Sequence, residues 1–252
     1  MKPILPPLKA AYRDALALML KYLNETLTRL EDHKDYYIIR GNGGCVIGPS
    51  MINDACPIAS ALRCRLGGLV VRPVRLVNGH LMGRGSDDLN NIIMGYAVHE
   101  AYTRLVRETN PDWIILTDIH YRTIVKHNDI AFEVGFSPDI LMAKNGEWHI
   151  IEVKSGKFNI THELQLASYY YLLKDLMRIK AGWLITQDAI IPYSPRDLDS
   201  SARQTLDYLY AVKRVLDSWI GEEPGFLVKG SCPCRWAIAC PIWKGILAYA
   251  RA

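Results

Sequence analysis

No apolar run in this sequence approaches the ~20 residues that a bilayer-spanning helix needs. Its opening residues, Met1 to Pro7, lack the apolar stretch and small-residue cleavage site of a secretory leader. A soluble, cytoplasmic protein with no membrane partner is the expectation. Internal repeats and low-complexity tracts are missing too, which excludes repeat architectures. Acidic residues are absent from two long segments. Ala55 to Ser86 carries Arg63, Arg65, Arg72, Arg75 and Arg84 without one acid; Phe226 to Ala252 carries Lys229, Arg235, Lys244 and Arg251, again without one. The net charge is +4 and these segments hold nine positive charges, so the rest of the chain carries −5. Two basic segments on an otherwise acidic chain suit a polyanion such as nucleic acid. A pair of solvated basic faces is the plainer reading.

What is present suits one large domain: 252 residues, 50% apolar and 22% charged. Apolar spacing without Gly or Pro predicts a helix over Leu8 to Asp32, and the glycines from Gly41 to Gly48 predict a loop. A second helix is expected from Ser50 to Gly67-Gly68, with Pro57 a few residues inside it. Arg72 to Met82 is strand-like, and a third helix runs from Ser86 to about Asn110. From Trp113 onward, short β-branched and aromatic runs divided by turn residues predict a largely antiparallel sheet. Helices follow over Thr161 to Lys180 and Arg196 to Trp219, with the strands GWLIT and AIIPY between them. Helices, then sheet, then helix and strands make an α/β or α+β fold with the sheet covered by helices.

Asn145-Gly146 between two apolar runs is a strong signal for a two-residue hairpin turn. If Lys144 pairs with Glu147, counting back along both strands sets Asp139 opposite Glu152, about 5 Å apart at Cβ. Lys154, two residues on, shares their face. Two carboxylates held so close repel unless a positive charge lies between them. Mg²⁺ or Mn²⁺, which prefer carboxylate, carbonyl and water ligands, would meet that need. An ion-pair ladder on a strand surface is the alternative.

The pattern Gly135-Phe-Ser-Pro-Asp139, then Glu152-Val153-Lys154, resembles the PD-(D/E)XK nuclease core. Gln165-Leu-Ala-Ser-Tyr169 is similar to the helix motif of its RecB-like branch, and Gly95-Tyr-Ala-Val-His99 to that branch's metal-binding histidine. The resemblance implies a restriction-endonuclease-like mixed sheet flanked by helices. It further implies that His99, Asp139, Glu152 and the Val153 carbonyl bind Mg²⁺ or Mn²⁺, and that Lys154 positions the nucleophile. Gln165 and Tyr169, four apart, share one helix face and join the catalytic set. His149 lies on the opposite side of the hairpin and is left out.

Cys232-Pro-Cys234 with Cys240, and Cys56 far upstream, resembles the iron–sulfur ligand set of the CRISPR-associated exonuclease family (Cas-four). Cys64 is the alternative first ligand, and Cys45 has no assigned role. The family usually places two residues between the first C-terminal pair, whereas only Pro233 stands here. A 4Fe–4S cluster is expected ahead of 2Fe–2S, with a zinc site or disulfides as competing readings. The resemblance spans about residues 50 to 245. It implies a nuclease domain over 50–252 whose iron–sulfur lobe joins about 50–86 to 226–252, behind a helical extension over 1–49. The implied activity is metal-dependent exonucleolytic hydrolysis of single-stranded DNA or overhangs, trimming spacer precursors beside the CRISPR integrase, with a homo-oligomer left open. A RecB-like repair or viral nuclease, or a non-catalytic nucleic-acid-binding scaffold on the same fold, are the rival functions.

Overall fold

The computed structural model describes residues 2–32, 37–41, 45–54, 56–71, 75–77, 80–82 and 86–218. In chain order the elements are α1 (Tyr12–Leu27), β1 (Leu30–Asp32), β2 (Tyr37–Arg40), α2 (Pro57–Leu66), β3 (Gly68–Val71), β4 (Arg75–Val77) and β5 (His80–Met82). Then come α3 (Ser86–Thr109), β6 (Ile114–Leu116), β7 (Tyr121–His127), β8 (Ile130–Phe136), β9 (Ile140–Lys144) and β10 (Glu147–Val153). The last are α4 (Ile160–Leu173), β11 (Ile179–Ile185), β12 (Ile190–Tyr193) and α5 (Pro195–Ser218). Short 3-10 turns over Leu8–Ala11 and Pro49–Asp54 precede α1 and α2.

The central sheet has the order β12-β11-β10-β9-β6. It is mixed and largely antiparallel, as expected: β10 and β11 run parallel while their outer neighbours do not. A parallel pair needs a crossover, and α4 provides it. The β9–β10 hairpin keeps the expected register, Lys144 opposite Glu147 through to Ile140 opposite Ile151. Asn145 and Gly146 both take positive φ, +54° and +76°, as a type I′ turn requires. The strands β7 and β8 form a separate hairpin outside the central sheet.

Alternation along β10 fixes which side each residue faces. Ile151 and Val153, with Ile140 and Met142, pack beneath α1 and α3 among Ala97, Val98 and Tyr102. Ile150, with Leu141 and Leu184, packs beneath α4 and α5 against Leu166, Leu173 and Leu198. Each such buried side chain contributes about 1.5–3 kcal/mol. Gly182 on β11 has no room for a larger residue: a Cβ there would stand 2.9 Å from Leu198 Cδ1 and 3.1 Å from Leu166 Cδ2. The two covering helices close over that gap.

Three expected boundaries moved. The single helix from Ser50 divides into the 3-10 turn and α2, because Pro57 takes the first helical position and Cys56 before it is extended (φ −149°). Gly67, at φ +67°, ends α2. The helix expected to reach Lys180 stops at Leu173, and Ile179 and Lys180 join β11 instead. Asn159 starts α4 by accepting the Thr161 amide at 3.0 Å. The first helix, expected over Leu8 to Asp32, covers Tyr12–Leu27, and Leu30–Asp32 pairs with β2 as a strand instead, while Leu8, Ala11 and Ala15 lie in the same core as the central sheet. Among the described residues no helix is long and apolar enough to cross a membrane.

Candidate active site

Asp139 lies just before β9, after Ser137-Pro138, and the register of the hairpin carries it to the end of β10. There its Oδ2 accepts the Val153 amide at 2.7 Å. Its Oδ1 stands 3.3 Å from His99 Nδ1, which α3 brings across the end of the sheet. Burial pushes the Asp139 carboxyl up, but His99, Lys154 and the Val153 N–H together hold it below the usual range. Burial likewise disfavours the His99 imidazolium, and Asp139 outweighs it, so the His99 pKa is raised. With the imidazole protonated the two form an ion pair.

Glu152, on the α4 side of β10, is buried with 0% exposure. Lys154 Nζ stands 2.6 Å from its Oε1 as an ion pair. Among the described residues neither Glu152 oxygen has a further hydrogen-bond partner. Burial first, and the Asp139 charge second, push the Glu152 carboxyl up to about 7. Burying a carboxylate costs several kcal/mol of desolvation, as much as two or three of the buried leucines contribute, and among the described residues one lysine is its sole cationic contact at this distance. A fold does not place such a group for stability.

Lys154 is also buried, which disfavours its ammonium, but Glu152 and Asp139 more than restore the charge. It donates to Gln165 Oε1 at 2.9 Å, and Gln165 Nε2 donates to the Tyr169 hydroxyl at 2.6 Å. Burial, then Glu152 and Asp139, raise the Tyr169 pKa well above its ordinary value. His99, Asp139, Glu152, Lys154, Gln165 and Tyr169 all line one cleft of about 930 Å³. The six residues assigned from the sequence motifs therefore meet in space. Val153 contributes its amide, and its side chain turns into the core.

Imidazole and two carboxylates are the donor set of a hard divalent cation, and the orphaned oxygens of buried Glu152 fit one. As the side chains lie, His99 is paired with Asp139 and Glu152 with Lys154. No closed group of three or more such donors forms among the described residues. A cation would replace both ion pairs.

Two residues at this site escaped the sequence reading. Asn53, in the 3-10 turn before α2, donates from Nδ2 to Gln165 Oε1 at 2.7 Å. It lies 112 positions from its partner, so no local pattern could have shown it. His162 sits on α4 three residues before Gln165; burial, then the Lys154 charge, lowers its pKa to about 4. Its spacing of three and seven from Gln165 and Tyr169 was the available signal. His149 is buried on the opposite face, where it accepts Trp183 Nε1–H at 3.0 Å.

The cysteines divide differently from the expectation. Cys45 and Cys64 are joined as a disulfide with Cα atoms 4.6 Å apart, which gives Cys45 a partner and pairs it with the alternative cluster ligand Cys64. Cys56 lies half-buried at the start of α2 and outside that disulfide. Cys232, Cys234 and Cys240, and with them the C-terminal part of the iron–sulfur lobe, lie outside the described residues.

The fold has a solved counterpart. A crystal structure of SSO0001 is similar to this chain with a TM-score of 0.50 at 16% identity, over 90% of this chain and 95% of that one. At that identity the likeness establishes a shared mixed α/β fold and nothing about chemistry. No family model matches the chain, and no curated protein does.

Proposed function

We propose that the protein is a metal-dependent nuclease that hydrolyses phosphodiesters in the cleft between α3 and the β9–β10 hairpin. The observation that carries this reading is the convergence of His99, Asp139, buried Glu152 and Lys154 from three separate elements. His99, Asp139 and Glu152, with the Val153 carbonyl, would hold Mg²⁺ or Mn²⁺. Such a cation lowers the pKa of bound water and neutralises charge gathering on phosphorus. The protein's own part is positioning. Asp139 is aimed by the Val153 amide, and Lys154 is held between Glu152 and Gln165 so that its remaining N–H can direct a water or a phosphoryl oxygen. Water adds to phosphorus and the ester oxygen leaves.

The sequence resemblance extends the reading. The substrate is single-stranded DNA, ends or overhangs, and the work is exonucleolytic trimming of spacer precursors before CRISPR integration. Cys56, Cys232, Cys234 and Cys240 would hold an iron–sulfur cluster, 4Fe–4S ahead of 2Fe–2S. Iron and sulfide counts after anaerobic purification test that part separately.

Asp139→Ala and Glu152→Ala test the whole. Each should abolish Mn²⁺-dependent cleavage of single-stranded DNA while DNA binding persists. Cleavage at the wild-type rate in both variants rules the assignment out.

A further inference from the structure

A second cavity, of about 260 Å³, adjoins the catalytic cleft. Val46, Ser50, Arg63, Leu69 and Tyr96 line both, so the two are continuous along one wall. Arg29 lies only in the smaller cavity, whose described lining holds two arginines and no acid. Tyr96 stands at the junction. It lies on α3 three residues before His99, is 37% exposed, and is backed by Tyr22 with ring centroids 5.6 Å apart. Arg63 reaches buried Asp54 through Nη1 at 3.6 Å. A guanidinium carries five N–H donors, so this contact does not exhaust it. Arg29 donates Nε to the Arg40 carbonyl at 2.8 Å, which holds it at the rim.

A cationic pocket with a backed, exposed aromatic ring, opening beside a phosphodiester-cleaving centre, matches the chemistry of a nucleotide: phosphate on guanidinium, base on ring. We propose that this side pocket binds a nucleotide of the single strand adjacent to the one being cleaved, with its phosphate on Arg29 and Arg63 and its base against Tyr96. The proposal rests on the nuclease reading and adds to it a binding subsite that the catalytic motifs do not include. It makes the preferred substrate longer than the cleft alone requires. Nucleotides in the cleft meet the carboxylates, and the neighbouring nucleotide is what anchors the strand.

The test is binding without cleavage. Fluorescence anisotropy of labelled oligothymidylates, in EDTA, would compare a dinucleotide with a strand of roughly eight nucleotides. Tyr96→Leu should weaken the longer strand about tenfold, as lost stacking does, and Tyr96→Phe should restore it. Arg29→Ala, at a half-buried position, should weaken the longer strand and lower its salt slope by about 0.7. Arg29→Lys should recover most of that slope. The dinucleotide, held in the cleft, should bind the Arg29 variants like the wild type, because Arg29 lies only in the side pocket. Wild-type binding of the longer strand with no change in Tyr96→Leu and Arg29→Ala overturns the pocket and leaves the nuclease reading intact. Equal losses on both lengths in Arg29→Ala overturn it as well. A wild-type protein that binds neither strand overturns both.

Discussion

Gln165 Oε1 receives two donors at once, Lys154 Nζ at 2.9 Å and Asn53 Nδ2 at 2.7 Å, while its own amide nitrogen donates to Tyr169. That arrangement admits one orientation of the amide, and the orientation decides whether Lys154 has an acceptor. Asn53 is thus a positioning residue acting through Gln165. Asn53→Ala should lower kcat about 10- to 100-fold, in the range seen when supporting partners of a metal site are removed, with KM little changed. A change in KM alone would show that the contact serves binding. Glu152 carries the pH dependence. Its carboxyl is held at about 7 against an ordinary 4.5, so between those values the metal-free folded protein keeps a proton that the unfolded chain has lost. That contribution therefore destabilises the fold progressively as pH rises through the window. A cation needs Glu152 deprotonated and His99 neutral, and both pKa values are raised, so Mn²⁺ affinity should climb as pH rises through about 7. Calorimetric titrations at about pH 6 and about pH 8 check this, and equal affinities would contradict it. At this scale the motif-bearing residues were legible because their chemistry is written in short spacings. Asn53 was not, because its contact exists only after the chain has folded.

Elements were legible where periodicity and punctuation agreed. The Asn145-Gly146 turn, the start of α3 at Ser86 and the span of α5 follow the sequence reading closely. Where a tertiary partner competes with local preference, the reading slipped. Ile179 and Lys180 fit a helical pattern but gain a parallel neighbour in β10, and the strand prevails. The crossover that makes this pairing also sets the Gln165 amide, because Leu166 beside it rests over Gly182. Gly182→Ala should therefore cost about 1–3 kcal/mol by overpacking and lower kcat as α4 lifts Gln165 from Lys154. Thermal melts and single-turnover rates measure the two effects, and an alanine variant with wild-type values for both would show that the helices absorb the methyl group elsewhere.

The whole molecule is arranged so that α1 and α3 cover one face of the central sheet and α4 and α5 the other, with the chemistry at the end where both pairs meet β9 and β10. The N-terminal segment belongs to this arrangement: Tyr12 hydroxyl donates to the Ser155 carbonyl at 3.2 Å, one residue beyond Lys154, and Tyr22 and Lys21 clasp Glu100 next to His99. A ligand bound by groups from α3, β9 and β10 ties separate elements together, and stabilises all of them by mass action. At free Mn²⁺ about a hundredfold above its Kd the gain should be about 2.7 kcal/mol, or roughly 5–11 °C in Tm for a chain of this size. Asp139→Ala should show none of it. A wild-type melting curve indifferent to Mn²⁺ would remove the cation from the site.

The hairpin turn has one more consequence. Strand side chains alternate with a period of two, so the two-residue reversal at Asn145-Gly146 acts as a parity bit for the whole of β10. One residue more or fewer there would trade Glu152 for Val153 beside Asp139, turning an acid into the core and a valine into the cleft, with every side chain of the candidate site still present in the chain.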